Sequence, residues 1–257
     1  MNVIVTGAGR NKGIGAEICR MLSERGNNIY FTSYNVYDVQ VCGINPSEYG
    51  LTKEECNKYG NKVYFDFFDL TKIENITTMF DDAILKLGSV DALVNCLCYH
   101  EYDSFGSIND KELDTNYQVN TKAILMLCQE FYSRFKGDKG SIVNISSLQE
   151  VQPLYNEVSY AITKASIPII TSTLAFQMGE KNININAVNP GPTDIGVKDE
   201  EPFLEQCKEA IPFKRIGTTR DVANLVYFLL SDAGHWISGQ TINSEGALYR
   251  GITGLQI

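Results

Sequence analysis

Apolar and polar positions along this chain switch repeatedly between a strand-like and a helix-like period. Asn2–Thr6 is an apolar run that stops at Gly7, and Ile14, Ile18, Met21 and Leu22 then recur at helical spacing as far as Gly26. Ile29–Thr32 and Lys62–Phe67 read as the second and third strands. Ile76, Met79, Phe80, Ile84 and Leu87 mark an amphipathic helix closed by Gly88, and Val90–Asn95 reads as a fourth strand. A long helix is predicted from Val119 to Phe135, a fifth strand over Ser141–Ile145, a helix around Tyr160–Met178 and a sixth strand over Ile183–Val188. Val222–Leu230 reads as a last helix and Gln240–Asn243 as a last short strand. Pro168 falls inside the helix around Tyr160–Met178. It cannot donate a hydrogen bond to the carbonyl of Lys164 and should bend the axis.

Strands that alternate with helices imply a parallel sheet covered on both faces, and the nearly all-apolar strands fit burial on both sides. No Pro/Gly/Ser-rich linker, repeat or low-complexity tract interrupts the pattern, so residues 1–257 are read as one domain. Two stretches fit poorly. Asn35–Gly60 is long for a connection and must hold irregular structure or a short helix. Pro192–Lys214 is polar and acidic and is a candidate substrate lid.

Composition narrows the function classes. Of the 257 residues, 44% are hydrophobic and 21% charged, which suits a globular chain and excludes a disordered or collagen-like one. Asp and Glu number 31 against 22 Lys and Arg, a net charge of −9. That balance disfavours nucleic-acid binding and attraction to anionic membranes. No apolar run approaches the roughly 20 residues of a membrane-spanning helix. The N-terminus has no basic region ahead of an apolar stretch and does not read as a secretory signal. The 7 cysteines are odd in number and scattered, which fits reduced thiols in the cytoplasm.

Candidate chemistry begins at Thr6-Gly7-Ala8-Gly9-Arg10-Asn11-Lys12-Gly13-Ile14-Gly15, between the first strand and the first helix. Glycines there let the backbone approach a pyrophosphate, and the helix N-terminus presents N–H groups and a positive dipole end to the anion. An acid at the end of the second strand would bind the ribose 2′-OH of NAD. That strand ends Phe31-Thr32-Ser33-Tyr34, without one. With the hydroxyls of Thr32 and Ser33 and the charges of Arg10 and Lys12, the expectation is NADP(H) over NAD(H).

Further along, Ser159-Tyr160-Ala161-Ile162-Thr163-Lys164 places Tyr160 and Lys164 at i and i+4, on one helix face. A free tyrosine has a pKa of about 10, and a neighbouring ammonium favours the phenolate. Ser147 ends the preceding strand run, where its hydroxyl could hold a substrate oxygen beside the phenol.

With these pieces in place the chain resembles the short-chain dehydrogenase/reductase family, from Asn2 to about Tyr249. The matching segments are the turn ending Gly13-Ile14-Gly15, Asp69-Leu70, Leu93-Val94-Asn95, Val119-Asn120, Ser147, Tyr160, Lys164, Asn189-Pro190-Gly191, Arg215-Ile216-Gly217 and Ile237-Ser238-Gly239-Gln240. The nearest look is to bacterial 3-oxoacyl-[acyl-carrier-protein] reductases. The resemblance implies a Rossmann-like, doubly wound sheet of seven parallel strands in order 3-2-1-4-5-6-7. It implies Tyr160 as general acid or base, and Lys164 on the nicotinamide ribose and lowering the Tyr160 pKa. Ser147 would orient the carbonyl, and Asn120 would anchor a proton-passing water. It implies Gly7, Gly13 and Gly15, with Ile14 between them, at the cofactor phosphates, Asp69 and Leu70 at the adenine edge, Asn95 on the adenosine side and Pro190-Gly191 at the nicotinamide. A homotetramer packed through helices 119–135 and 160–178 is the implied assembly.

This chain departs from the family pattern at several points. Two additional residues separate Gly7 from Gly13, which leaves open how Gly9, Arg10 and Lys12 meet the phosphates. The usual Asn-Asn-Ala-Gly is Asn95-Cys96-Leu97-Cys98. A frequent Thr four residues past the Pro-Gly is Ile195, and Thr193 is the candidate to replace it at the nicotinamide amide. Cys96, Cys98 and His100 alternate but lack a fourth metal ligand, and they are expected near the adenosine with the thiols buried. Glu150, Tyr155 and Glu157 are candidates for substrate contact. The function expected is NADP-dependent interconversion of a carbonyl and a secondary alcohol, first of all a 3-oxoacyl thioester, free or carrier-bound. The alternatives are a sugar, polyol or secondary-metabolite substrate, and a non-catalytic NADP-binding sensor.

Overall fold

A computed structural model describes residues 1–40, 43–196 and 201–248 of the chain. The strands are β1 (Asn2–Thr6), β2 (Asn28–Ser33), β3 (Val63–Phe67), β4 (Ala92–Asn95), β5 (Gly140–Ile145), β6 (Ile183–Asn189), β7 (Thr193–Asp194), β8 (Gly217–Thr218) and β9 (Thr241–Asn243). The helices are α1 (Ile14–Glu24), α2 (Asn35–Gln40), α3 (Ser47–Asn57), α4 (Ile73–Leu87), α5 (Asp110–Tyr117), α6 (Ile124–Arg134), α7 (Val158–Lys164), α8 (Ser166–Gly179), α9 (Glu201–Ala210) and α10 (Thr219–Leu230). Seven strands form one parallel sheet in the order β3-β2-β1-β4-β5-β6-β9. This is the order expected, with β9 in seventh place. The two-residue strands β7 and β8 pair only with each other.

The period of two in β1 assigns its side chains to two cores. Ile4 joins Tyr30, Leu93, Ile142 and Ile185 under α4, α6 and α8, where Phe80, Leu127, Phe131 and Ile167 fill the space. Val3 and Val5 join Phe31, Val94 and Val143 under α1 and α10, with Ile18, Leu22 and Val226. Both faces of the sheet are therefore covered, and the buried amides within β6, Asn184 and Asn186, donate to the backbone carbonyls of Leu229 and Ile237.

Four sequence expectations change. The helix expected from Val119 is preceded by α5, which begins at Asp110 with the Asn109 side chain accepting from the N–H groups of Lys111 and Glu112. Only Asn116 of α5 is buried, so no apolar period announces it. Between α5 and α6 the backbone widens into a π-turn segment, Gln118–Ala123. The helix around Tyr160–Met178 breaks at Ala165 into α7 and α8, three residues before Pro168, the ring that was expected to bend it. The hydroxyls of Ser166 and Thr121 donate to the carbonyl of Thr163 at the break. The 35–60 stretch, expected to hold irregular structure or a short helix, carries two helices, α2 and α3, among its described residues. The 192–214 stretch holds β7 and α9; its residues 197–200 lie outside the described set.

Phe80 is wholly buried beneath the sheet. Phe80→Ala should lower unfolding stability by about 3–5 kcal/mol, read from denaturant midpoints.

Candidate active site

The site lies at the C-terminal ends of the central strands, where parallel sheets of this order leave a crevice. β1 ends at Thr6 and the chain turns at Gly7, whose φ is +69°. A Cβ there would stand 2.6 Å from the Leu97 backbone, and one on Gly15 would stand 2.6 Å from the carbonyl oxygen of Gly7. Gly13 precedes α1 in extended conformation and supplies no side-chain cap, so the positive helix end faces the turn unscreened. This tight, side-chain-free cradle fits a dinucleotide pyrophosphate.

The two additional turn residues are held by the 35–60 insertion and the 192–214 segment. The Asn11 N–H donates to Glu48 at 3.2 Å, and its side-chain oxygen accepts from Thr52 at 2.9 Å and Arg20 at 3.1 Å. Arg20 also pairs with Glu55. Lys12 lies along Gly196, where a Cβ would meet its Cδ at 2.7 Å.

The ribose side differs from the expectation. The Ser33 hydroxyl donates to the carboxylate of Asp38, which also accepts from Tyr49. A Cβ on Gly9 would run into both Ser33 and Asp38, so this acid lies directly on the glycine turn. Burial pushes the Asp38 carboxyl up, opposed by Ser33, Tyr49 and the charge of Arg10. Thr32 is buried. The second strand is acid-free as expected, and an acid nevertheless reaches the turn from α2, five residues past Ser33.

Elsewhere in the cofactor set, Asp69 accepts from the N–H and hydroxyl of Thr71, and Leu70 is buried in the core. Asn95 is wholly buried and donates to Asn144 at 2.8 Å, bracing β4 against β5. After β6, Asn189 accepts from the N–H of Gly191, whose φ is +59° and whose Cβ would strike Glu245. The Thr193 hydroxyl donates to the carbonyl of Pro190 at 2.9 Å.

Lys164 and Tyr160 share α7, with the ammonium 5.9 Å from the phenol ring centroid. Lys164 is only 2% exposed and donates to the Ile145 carbonyl at 3.0 Å. Burial pushes its pKa down, opposed by Cys98, Cys96 and Glu150. Ser147 lies two residues past the end of β5 and its hydroxyl accepts from the N–H of Gln149. Glu150 is half-buried and raised by desolvation, opposed in part by Lys164. Asn120 is fully buried in the π-turn segment. Its amide grips Tyr99 from both sides, accepting from the N–H and donating to the carbonyl, each at 2.9 Å, and also donates to Thr163.

The 96–100 stretch also departs from its expected place. Cys96 is half-buried, its thiol pushed up to about 12 by desolvation, and Cys98 is exposed rather than buried. His100 reaches the catalytic end: its ring stands perpendicular to that of Tyr160 at 4.9 Å, and its Nε2 lies 3.1 Å from Glu157. Among the described residues no group of three or more His, Cys, Asp or Glu side chains could hold a metal ion.

Comparison with known proteins agrees with this geometry. A family model described as enoyl-(acyl carrier protein) reductase matches residues 7–247. The oxidoreductase YjdA of Bacillus subtilis is 35% identical over 251 residues, covering 96% of both chains. The chain is a short-chain dehydrogenase/reductase. Another member, the 3-oxoacyl-[acyl-carrier-protein] reductase FabG of Staphylococcus epidermidis, is 29% identical over 96% of this chain and 98% of its own. The solved short-chain dehydrogenase/reductase of Serratia marcescens shares the fold, with a TM-score of 0.86 at 24% identity over 96% of each chain. Membership makes this protein a carbonyl/alcohol oxidoreductase that uses a nicotinamide cofactor. Among its described residues no helix is long and apolar enough to cross a membrane.

The buried lysine has a pH signature. Its folded pKa lies below the ordinary 10.5, so just below that value the unfolded chain holds a proton that the folded chain has released, and the stability due to this residue rises with pH. Without added cofactor, the wild type should gain stability relative to Lys164→Met as pH rises from about 8 to about 10.5, measured by denaturant unfolding.

Proposed function

We propose that this reductase interconverts a carbonyl and a secondary alcohol with Tyr160 as the proton-transferring group. The observation that carries the reading is Tyr160 sharing α7 with the buried Lys164, whose ammonium is anchored on the carbonyl of Ile145, two residues before Ser147. In reduction the Tyr160 hydroxyl gives its proton to the substrate oxygen, and in oxidation the phenolate takes it back. Lys164 stabilises that phenolate and binds the nicotinamide ribose. Ser147 holds the substrate oxygen, and Asn120 keeps the π-turn segment in place for a proton-passing water. The bound nicotinamide supplies or accepts the hydride. A sensor without turnover would have no need of this pair.

The cofactor we favour is NAD(H). Asp38 on Gly9 offers a carboxylate to a ribose 2′-OH and repels a 2′-phosphate. The Ser33 donor counted toward NADP(H) is engaged by that same carboxylate. Of the substrates, a 3-oxoacyl thioester is the first reading, supported by the likeness to the Staphylococcus epidermidis reductase. We place the protein in the cytoplasm with its thiols reduced. A tetramer is supported by Ile162, Ile169 and Phe176, an exposed apolar row at seven-residue spacing along α7 and α8.

Two measurements test this. Cofactor oxidation should be seen with acetoacetyl-CoA, ethyl acetoacetate or another ketone of a panel, and Tyr160→Phe should lower kcat by about 100- to 10,000-fold with cofactor affinity kept. Strong activity on sugars or polyols alone would shift the substrate reading. Asp38→Asn should move the kcat/KM ratio toward NADPH by about tenfold or more, and a wild type already preferring NADPH would overturn the NAD(H) assignment.

A further inference from the structure

The wall beside Tyr160 contains a polar pair that the proposed proton transfer does not employ. His100 stands edge-to-face on Tyr160 and on Tyr102, each at a centroid distance of 4.9 Å. Its Nε2 meets Glu157 at 3.1 Å, and Glu157, 8% exposed, also accepts from Gln149. Both members of the pair are tied down by neighbours. Asn120 grips the backbone of Tyr99, and the N–H of His100 donates to the hydroxyl of Tyr37 at 3.1 Å. Asp103 accepts from the N–H and hydroxyl of Ser159, and its own N–H donates to the Asn156 carbonyl at 3.0 Å. The loop after β4 is thus laced to the start of α7 on both sides of the contact between His100 and Tyr160.

A perpendicular ring contact restrains the rotation of both rings, and a restrained acid–base group keeps its reacting geometry at lower entropic cost. We propose that His100, held by Glu157, is a positioning residue that sets the orientation of the Tyr160 phenol. Glu157 fixes the imidazole through Nε2, and the imidazole fixes the phenol through its ring. The buried Glu157 accounts for a histidine being placed there, since an apolar ring would leave that carboxylate short of a donor. The assignment rests on Tyr160 being the proton-transferring group.

The test uses the full-length enzyme with acetoacetyl-CoA, ethyl acetoacetate and 2,3-butanedione as probes, and compares His100→Ala, His100→Phe, Glu157→Gln and Tyr160→Phe. His100→Ala should lower kcat by about tenfold to a hundredfold, with KM, cofactor affinity and Tm close to wild type. His100→Phe, which restores a ring against Tyr160, should recover part of that loss. Glu157→Gln, which keeps an acceptor for Nε2, should fall between His100→Ala and wild type. The proposal is overturned if His100→Ala keeps kcat within about twofold of wild type while Tyr160→Phe is inactive. It is equally overturned if the His100→Ala loss follows Tm and cofactor affinity and His100→Phe recovers nothing, because the pair is then only structural. If Tyr160→Phe stays active, or no probe turns over, the underlying functional reading falls and this assignment falls with it.

Discussion

A positive charge with almost no access to water organises this molecule. Lys164 is enclosed between α7, the end of β5 and the loop after β4, and it donates to the Ile145 carbonyl. Such a charge is costly to bury, and the fold offsets part of the cost with that carbonyl and with the carboxyl of Glu150, while Cys96 and Cys98 lie alongside. These groups come from three separate segments, so the ammonium can be accommodated only when β4, β5 and α7 are in register. The strand order of the sheet supplies that register.

The polar groups at the strand ends form a connected frame around this charge. Asn95 and Asn144 bridge β4 and β5, Thr171 of α8 receives the Asn144 amide, and Asn120 ties the π-turn segment to Tyr99 and Thr163. Each of these amides is buried, so a missing partner would carry a desolvation penalty, and the network accordingly favours one arrangement over its near alternatives. The break between α7 and α8 belongs to the same frame: the hydroxyls of Thr121 and Ser166 meet the Thr163 carbonyl where the helix is interrupted.

At the other end of the crevice the 35–60 insertion stiffens the lengthened glycine turn. Asn11 is bonded to α3 and to Arg20, which leaves the turn backbone held from the side away from the ligand. Through α2 the insertion reaches two distant points of the crevice: Asp38 closes on Gly9, and Tyr37 one residue earlier accepts from the N–H of His100, which packs on Tyr160.

By itself the amino-acid order determined the features whose physics is local. Period-two and period-3.6 burial revealed the seven strands of the main sheet and most helices, the glycines between β1 and α1 marked the tight turn, and the i and i+4 spacing of Tyr160 and Lys164 placed them on one helix. The same reasoning was blind to α5, whose exposed face carries no apolar period, and it placed His100 with the adenosine because a loop's direction leaves no mark on residue spacing. Nor does residue spacing show that α2 folds back and brings Asp38 against Gly9, a glycine 29 positions earlier. Those placements were decided only in three dimensions, because they depend on contacts between segments that neither propensity nor periodicity relates.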